Sequence, residues 1–214
     1  MLYDCRTVAD RARGIEAAID AVKRGDLVVL PTDTIYGLGA DAFKPWAVTA
    51  LLDAKGRGRK MPPPVLVGSR DTLDGLVFGL PMAAKDLVEA FWPGALTIVV
   101  EHAPSLQWDL GELDGTVAVR MPLHPVALEV LRETGPMAVS SANKSGDPPA
   151  ITAEEARAQF GFSVSVYLEA GECADRTPST IVDVTGDVPR LLRAGAIPLE
   201  RLRQVIPSIA EPEE

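Results

Sequence analysis

The chain has little of what many specialised sites are built from. Its 214 residues include two cysteines, two histidines and only three Trp, three Tyr and five Phe. Cys5 and Cys173 are far apart and form no CxxC pair, which excludes a disulfide framework and a cysteine zinc site and leaves two ordinary reduced thiols. With His102 and His124 the only imidazoles and no G-x-S-x-G elbow, covalent serine catalysis is disfavoured. No group of His, Cys and carboxylates has the spacing of a protein-only metal site, so a divalent ion would be held by ligand phosphates and water. The scarce aromatics offer few stacking platforms for single-stranded nucleic acid. Lys and Arg number 21 against 30 Asp and Glu, a formal charge of −9, which argues against a broad phosphate-tracking surface. No apolar run approaches the roughly 18 residues of a membrane span, and the charged start MLYDCRTVADRARG has no signal-peptide core. A soluble, cytoplasmic protein is expected.

What is present is an ordinary globular balance, 47% hydrophobic and 24% charged, with 18 Gly and 18 Pro that predict a loop-rich molecule. Thr7 and Asp10 resemble a capping box ahead of Ile15, Ala18, Ile19 and Val22 at helical spacing, and Gly25 supplies a stop, so a helix is predicted over 8–24. Leu27 to Leu30 read as a strand buried on both faces. Further helices are predicted near 45–54, 82–91, 125–134, 152–160 and 198–206, and strands at 65–67, 95–100, 116–120, 137–140, 164–168, 179–184 and 188–192. The class is α/β. With no repeat and no long linker, residues 1–206 read as one domain and 207–214 as an acidic tail, frayed over Glu211 to Glu214.

Five segments gather polar chemistry near predicted strand ends, where open α/β sheets bind ligands. Residues 31–39 carry Thr32, Asp33, Thr34 and Tyr36 with two glycines. Residues 55–60 place Lys55, Arg57, Arg59 and Lys60 around Gly56 and Gly58; read alone this is either a solvated charge run or a compact anion site. Strand alternation puts Thr116, Ala118 and Arg120 on one face, with Arg120 either binding a planar anion or pairing a surface acid from an edge strand. Residues 140–146 present Ser140, Ser141, Asn143 and Ser145, suited to ligand oxygens and ring nitrogens. Ser179 and Thr180 begin one strand, and Arg193 ends the next.

In this order the segments resemble the YrdC-type threonylcarbamoyl-AMP synthase family: PTDTIYGLGADA (31–42), KGR (55–57), WPGALTIVV (92–100), GTVAVRMP (115–122), SSANKSGDPP (140–149), PSTIVDV (178–184) and LLRAGAI (191–197). The resemblance implies a twisted open mixed sheet with flanking helices and a concave, positively lined cavity. It implies a reaction joining L-threonine, bicarbonate or CO2 and ATP into threonylcarbamoyl-AMP and pyrophosphate, for modification of the tRNA adenosine beside the anticodon by a separate transferase. By motif position, Thr34, Tyr36, Arg120 and Ser179 go to the threonine side. Lys55, Arg57, Arg59, Thr116, Ser141, Asn143 and Arg193 go to ATP, with Lys55 and Arg57 as the catalytic cations and Mg2+ carried by ATP. The chain departs from the family pattern at 61–66, where Leu66 falls in place of a common histidine. The short end after Glu200 suggests the single-domain form. Two other readings are an RNA-binding module using the same basic cavity, and a carbamoyl-transfer enzyme of hydrogenase maturation, whose chains are much longer. The glycines and prolines of 55–64 suggest a loop that orders on ATP.

Overall fold

The computed structural model describes residues 1–173 and 176–212. In chain order the elements are β1 (Leu2–Asp4), α1 (Val8–Arg24), β2 (Val28–Leu30), β3 (Gly37–Asp41), α2 (Pro45–Lys55), β4 (Val65–Leu66), α3 (Asp71–Leu76) and α4 (Met82–Phe91). They continue with β5 (Leu96–Glu101), β6 (Thr116–Arg120), α5 (Pro125–Thr134), β7 (Met137–Ser141), α6 (Ala153–Phe160), β8 (Val166–Glu169), β9 (Thr180–Asp183), β10 (Arg190–Arg193) and α7 (Leu199–Arg203). Among the described residues the strands form one mixed sheet in the order β1-β8-β2-β3-β7-β4-β6-β5-β9-β10. The α/β class and the mixed open sheet follow the expectation.

Local signals fixed the helix ends. The Thr7 hydroxyl accepts from the Asp10 amide, Thr152 does the same for Glu155, and Gly25 closes α1 in the left-handed region at φ 92°. α1 packs on α5, and together they bury Ile15, Val22, Val126 and Val130 against Val28, Leu30, Val166, Leu168 and Val139 of the sheet. Each such aliphatic side chain contributes about 1.5–3 kcal/mol by leaving water. The opposite sheet face carries a larger core that includes Leu51, Leu87, Leu96, Ile98, Val119 and Tyr167.

Three elements were not expected. β1 is a three-residue parallel edge strand on β8, α3 is six residues long, and β3 arises from GLGAD, read as loop because its glycines favour turns. β3 is held instead by partners far away in sequence, β2 on one side and β7 on the other. The packed domain also runs past the expected boundary at 206: Ile209 is buried, and Ala210 exchanges backbone hydrogen bonds with Pro189 and Leu191 beside β10.

Candidate active site

α1 and α5 cover only part of their face of the sheet. The uncovered part is floored by alternate residues of six adjacent strands: Ile181 of β9, Thr97 of β5, Ala118 and Arg120 of β6, Leu66 of β4, Val139 and Ser141 of β7 and Gly37 of β3. Since successive strand residues point to opposite faces, this period-two set forms one surface. It floors a cavity of about 350 Å³. The site thus lies on the sheet face, not beyond the strand ends. Its walls come from Thr32, Thr34, Ile35 and Tyr36 after β2, Arg57 after α2, Pro62 and Pro64, and Pro178, Ser179 and Arg193 near the sheet edge.

Three guanidiniums face this space. Arg120 is buried and held at each of its three nitrogens: Nε donates to the Gly94 carbonyl at 2.9 Å, Nη1 to Thr34 Oγ1 at 3.0 Å and Nη2 to Asp33 Oδ1 at 2.7 Å. It is therefore paired with an acid, though from a central strand and inside the protein. The WPG turn, whose Trp92 Nε1 donates to Leu96 O, presents the Gly94 carbonyl. Arg193 sends Nε and Nη2 to the Ser179 carbonyl at 3.0 and 2.7 Å and Nη2 to Ser179 Oγ at 3.0 Å. Ser179 Oγ in turn lies 2.8 Å from Thr97 Oγ1. Arg57 reaches only Ser140 Oγ, at 3.3 Å, and its Nε is buried with no partner among the described residues. Burial pulls Arg57 below its ordinary pKa; for Arg193, burial acts first, then the charges of Arg120 and Arg57. Burial also lowers Arg120, and Asp33 opposes that shift. Guanidiniums stay charged through such shifts, so the cavity concentrates positive charge inside a chain of net charge −9.

Of the residues expected here, the structure brings Thr34, Tyr36, Arg57, Arg120, Ser141, Ser179 and Arg193 to the cavity. Four others are not among its lining residues. Lys55 is 3% exposed and its ammonium donates to the carbonyls of Ser141 and Asn143, at 2.5 and 2.6 Å. Burial, followed by the charge of Arg57, pushes this amine down to about 8. Asn143 is also buried, with Nδ2 bonded to the Lys144 and Asp147 carbonyls, both at 2.8 Å. Lys55 and Asn143 brace the loop that carries Ser141. Thr116 has the expected parity with Ala118 and Arg120, but it sits at the other end of β6, about 13 Å along a strand from Arg120, and bonds to Leu113 O. Arg59 is half exposed and pairs with Asp109 at the surface.

Tyr36 is a wall whose ring lines the cavity and whose phenol points into the protein. Its OH lies 2.7 Å from Gly171 O and 3.1 Å from Glu169 Oε1 and accepts from the Ala170 amide, and burial raises its pKa. Thr97 was missed, although a lone hydroxyl within the apolar run 95–100 was a signal. Among the described residues no carboxylate lines the cavity, and no cluster of three His, Cys, Asp or Glu could hold a metal ion. The donors present, hydroxyls and guanidiniums, suit anions.

The Sua5/YciO/YrdC family model, described as telomere recombination, matches residues 20–195. A putative threonylcarbamoyl-AMP synthase of Mycobacterium tuberculosis is 60% identical over 204 residues, covering 95% of this chain and 94% of that protein. The threonylcarbamoyl-AMP synthase of Pyrococcus abyssi is 38% identical over 197 residues, and the match spans 91% of this chain but 58% of that protein. The crystal structure of P. abyssi Sua5 complexed with L-threonine superposes with a TM-score of 0.93 at 35% identity, over 99% of this chain and 62% of that one. The fold is shared with Escherichia coli YciO, TM-score 0.84 at 22% identity, over 94% and 98% of the two chains. On these matches the chain belongs to the Sua5/YciO/YrdC family.

Proposed function

We propose that this chain is an L-threonylcarbamoyladenylate synthase, a nucleotidyltransferase that serves threonylcarbamoyladenosine modification of tRNA. The observation that carries the reading is the convergence of Arg57, Arg120 and Arg193 with Thr34, Ser141 and Ser179 on one concave face. The relatives' names and the L-threonine bound by the P. abyssi protein support it.

The chemistry asks for what the cavity provides. The threonine amine adds to CO2 with loss of a proton to solvent, or to bicarbonate with loss of water, to form a carbamate whose oxygen attacks the α-phosphorus of ATP. The new P–O bond forms as the bond to the β-phosphate oxygen breaks, and pyrophosphate leaves with that electron pair. No side-chain nucleophile is needed; positioning and neutralisation of phosphate charge suffice. Arg57, Arg193 and Ser141 serve the ATP phosphates, while Thr34, Arg120 and Ser179 serve the threonine and its carbamate. Lys55 and Asn143 hold the Ser141 loop in place. Mg2+ accompanies ATP, held by its phosphates and water, which neutralises part of the triphosphate charge.

In this reading residues 1–206, with the packed segment through Ala210, form the catalytic unit, the enzyme works in the cytoplasm, and its product passes to a separate tRNA transferase. No helix among the described residues is long and apolar enough to cross a membrane. An RNA-binding module is not favoured, because the cavity's cations lie in a recess. The deciding experiment is mass spectrometry of the product formed from labelled bicarbonate, L-threonine and ATP with magnesium, alongside pyrophosphate release. Label in threonylcarbamoyl-AMP supports the reading; no threonine-dependent release overturns it.

A further inference from the structure

One acidic side chain next to the cavity has no part in the reaction as described. Asp33 Oδ1 accepts from Arg120 Nη2 at 2.7 Å and also from the Leu123 amide at 2.8 Å. A single carboxylate therefore ties the loop after β2 to both the last residue of β6 and the turn that follows it. The Asp33 and Arg120 side chains are 16% and 7% exposed, so the pair is shielded from solvent. Arg120 Nη1 donates to Thr34 Oγ1, which also lies 3.0 Å from Thr32 Oγ1. Movement of Arg120 would thus carry the Thr34 hydroxyl with it. Arg57 and Arg193, by contrast, have no carboxylate partner within ion-pair distance among the described residues.

We propose that Asp33 is a positioning residue: it fixes Arg120, and through it Thr34, toward the amino-acid substrate, and it cancels the charge of Arg120 so that Arg57 and Arg193 are the cations left to bind phosphate. This rests on the proposed reaction for the identity of the amino acid. The charge cancellation holds for any anion that enters the cavity. A role confined to holding the fold would weaken both ligands together; the proposed role moves them apart, because loss of the carboxylate loosens Arg120 while making the cavity more positive.

The test uses Asp33→Asn, which keeps an acceptor for Leu123 and Arg120 but removes the charge, and Asp33→Glu, which keeps the charge and displaces the contact. Calorimetry measures L-threonine and inorganic pyrophosphate separately on the intact chain. With Asp33→Asn, threonine affinity is expected to fall about tenfold or more and pyrophosphate affinity to rise about two- to fivefold. With Asp33→Glu, threonine affinity falls and pyrophosphate affinity stays as in the parent. Exchange with water of the Arg120 Nε proton, followed by NMR, should quicken in both variants relative to the parent. Parallel loss of both ligands, or unchanged threonine affinity with unchanged proton exchange, overturns the role. If the parent protein binds no threonine, the proposed reaction fails instead; the pyrophosphate and exchange measurements then decide the role of Asp33. If Asp33→Asn does not fold, the Asp33→Glu pattern decides it.

Discussion

The ammonium of Lys55 lies 2.6 Å from the carbonyl oxygen of Asn143, and Lys55 is not among the residues that line the cavity. Two residues on, Arg57 lines the cavity with its Nε unpartnered. One KGR segment therefore supplies a structural brace and a ligand-facing cation, and substitutions at the two positions should fail in different ways.

Lys55→Met should lower stability by about 2–3 kcal/mol, because two buried carbonyls lose their donor. A fall in melting temperature, accompanied by weaker ATP-dependent turnover as the Ser141 loop loosens, is expected from thermal denaturation and pyrophosphate assays. An unchanged melting temperature would contradict the brace.

Arg57→Gln should leave stability within about 0.5 kcal/mol, since the guanidinium makes one long bond to Ser140 and its burial disfavours the charge it carries. Turnover should nevertheless fall by about a hundredfold, with KM for ATP raised, if the triphosphate loses one of its charge-assisted partners. Steady-state kinetics beside a melting curve separate this outcome from that of Lys55→Met.

Lys55 also predicts a pH effect. The amine has an ordinary pKa of 10.5 when unfolded and gives up its proton near 8 in the native protein. Between those values the unfolded chain binds more protons, so this group's contribution to stability grows as pH rises from 8 toward 10.5 and is lost as pH falls through about 8. Burial, which sets this direction, outweighs the two carbonyls that favour the charged form. The difference in unfolding free energy between the parent and Lys55→Met, measured by urea titration from pH 7 to 10, should show this rising contribution. A flat difference would mean that the amine stays protonated.

Gly195→Ala should disturb the junction of Arg193 and Ser179, and with it both substrate sides. A Cβ there would lie 2.4 Å from the Pro178 carbonyl oxygen and 2.5 Å from the Thr180 nitrogen, both backbone atoms with little room to shift. The close approach lets β10 carry Arg193 onto the Ser179 carbonyl. A stability loss of about 1–3 kcal/mol and raised KM values for threonine, through Ser179, and for ATP, through Arg193, are expected from melting curves and kinetics. Normal kinetics would show that the approach is not needed.

Much of this was legible where the signal is local. The Thr7 cap, the Gly25 stop and the buried run at β2 all depend on neighbours within a few residues. β3 was not legible, because GLGAD becomes a strand only through pairing with Val28 to Leu30 and with Met137 to Ser141. Alternation gave Thr116 its correct face, but which end of β6 meets the cavity depends on the neighbouring strands and loops. That a cation motif contains a buried lysine depends on Ser141, 86 residues away in sequence. The six-strand floor is a property of strand order, which no window of sequence contains.

Glu169 offers the sharpest test of the buried network behind Tyr36. Its side chain has no cationic partner among those bonded to it; Oε1 accepts from the Gly171 amide and the Tyr36 hydroxyl, and Oε2 accepts from the Ala153 amide at the start of α6. A carboxylate can accept at both oxygens, whereas an amide has one accepting end. In Glu169→Gln, whichever way the amide turns, its NH2 faces a backbone N–H and leaves that donor unsatisfied. The near-isosteric change should cost about 1–3 kcal/mol, well above the few tenths typical of a surface Glu→Gln. Because Tyr36 also accepts from Ala170 and walls the cavity, threonine affinity should weaken with stability. Tyr36→Phe removes the hydroxyl and keeps the ring, so its cost should be smaller than that of Glu169→Gln. Urea unfolding of the two variants checks the order, and the reverse order would place the strength of the network in the phenol rather than in the carboxylate.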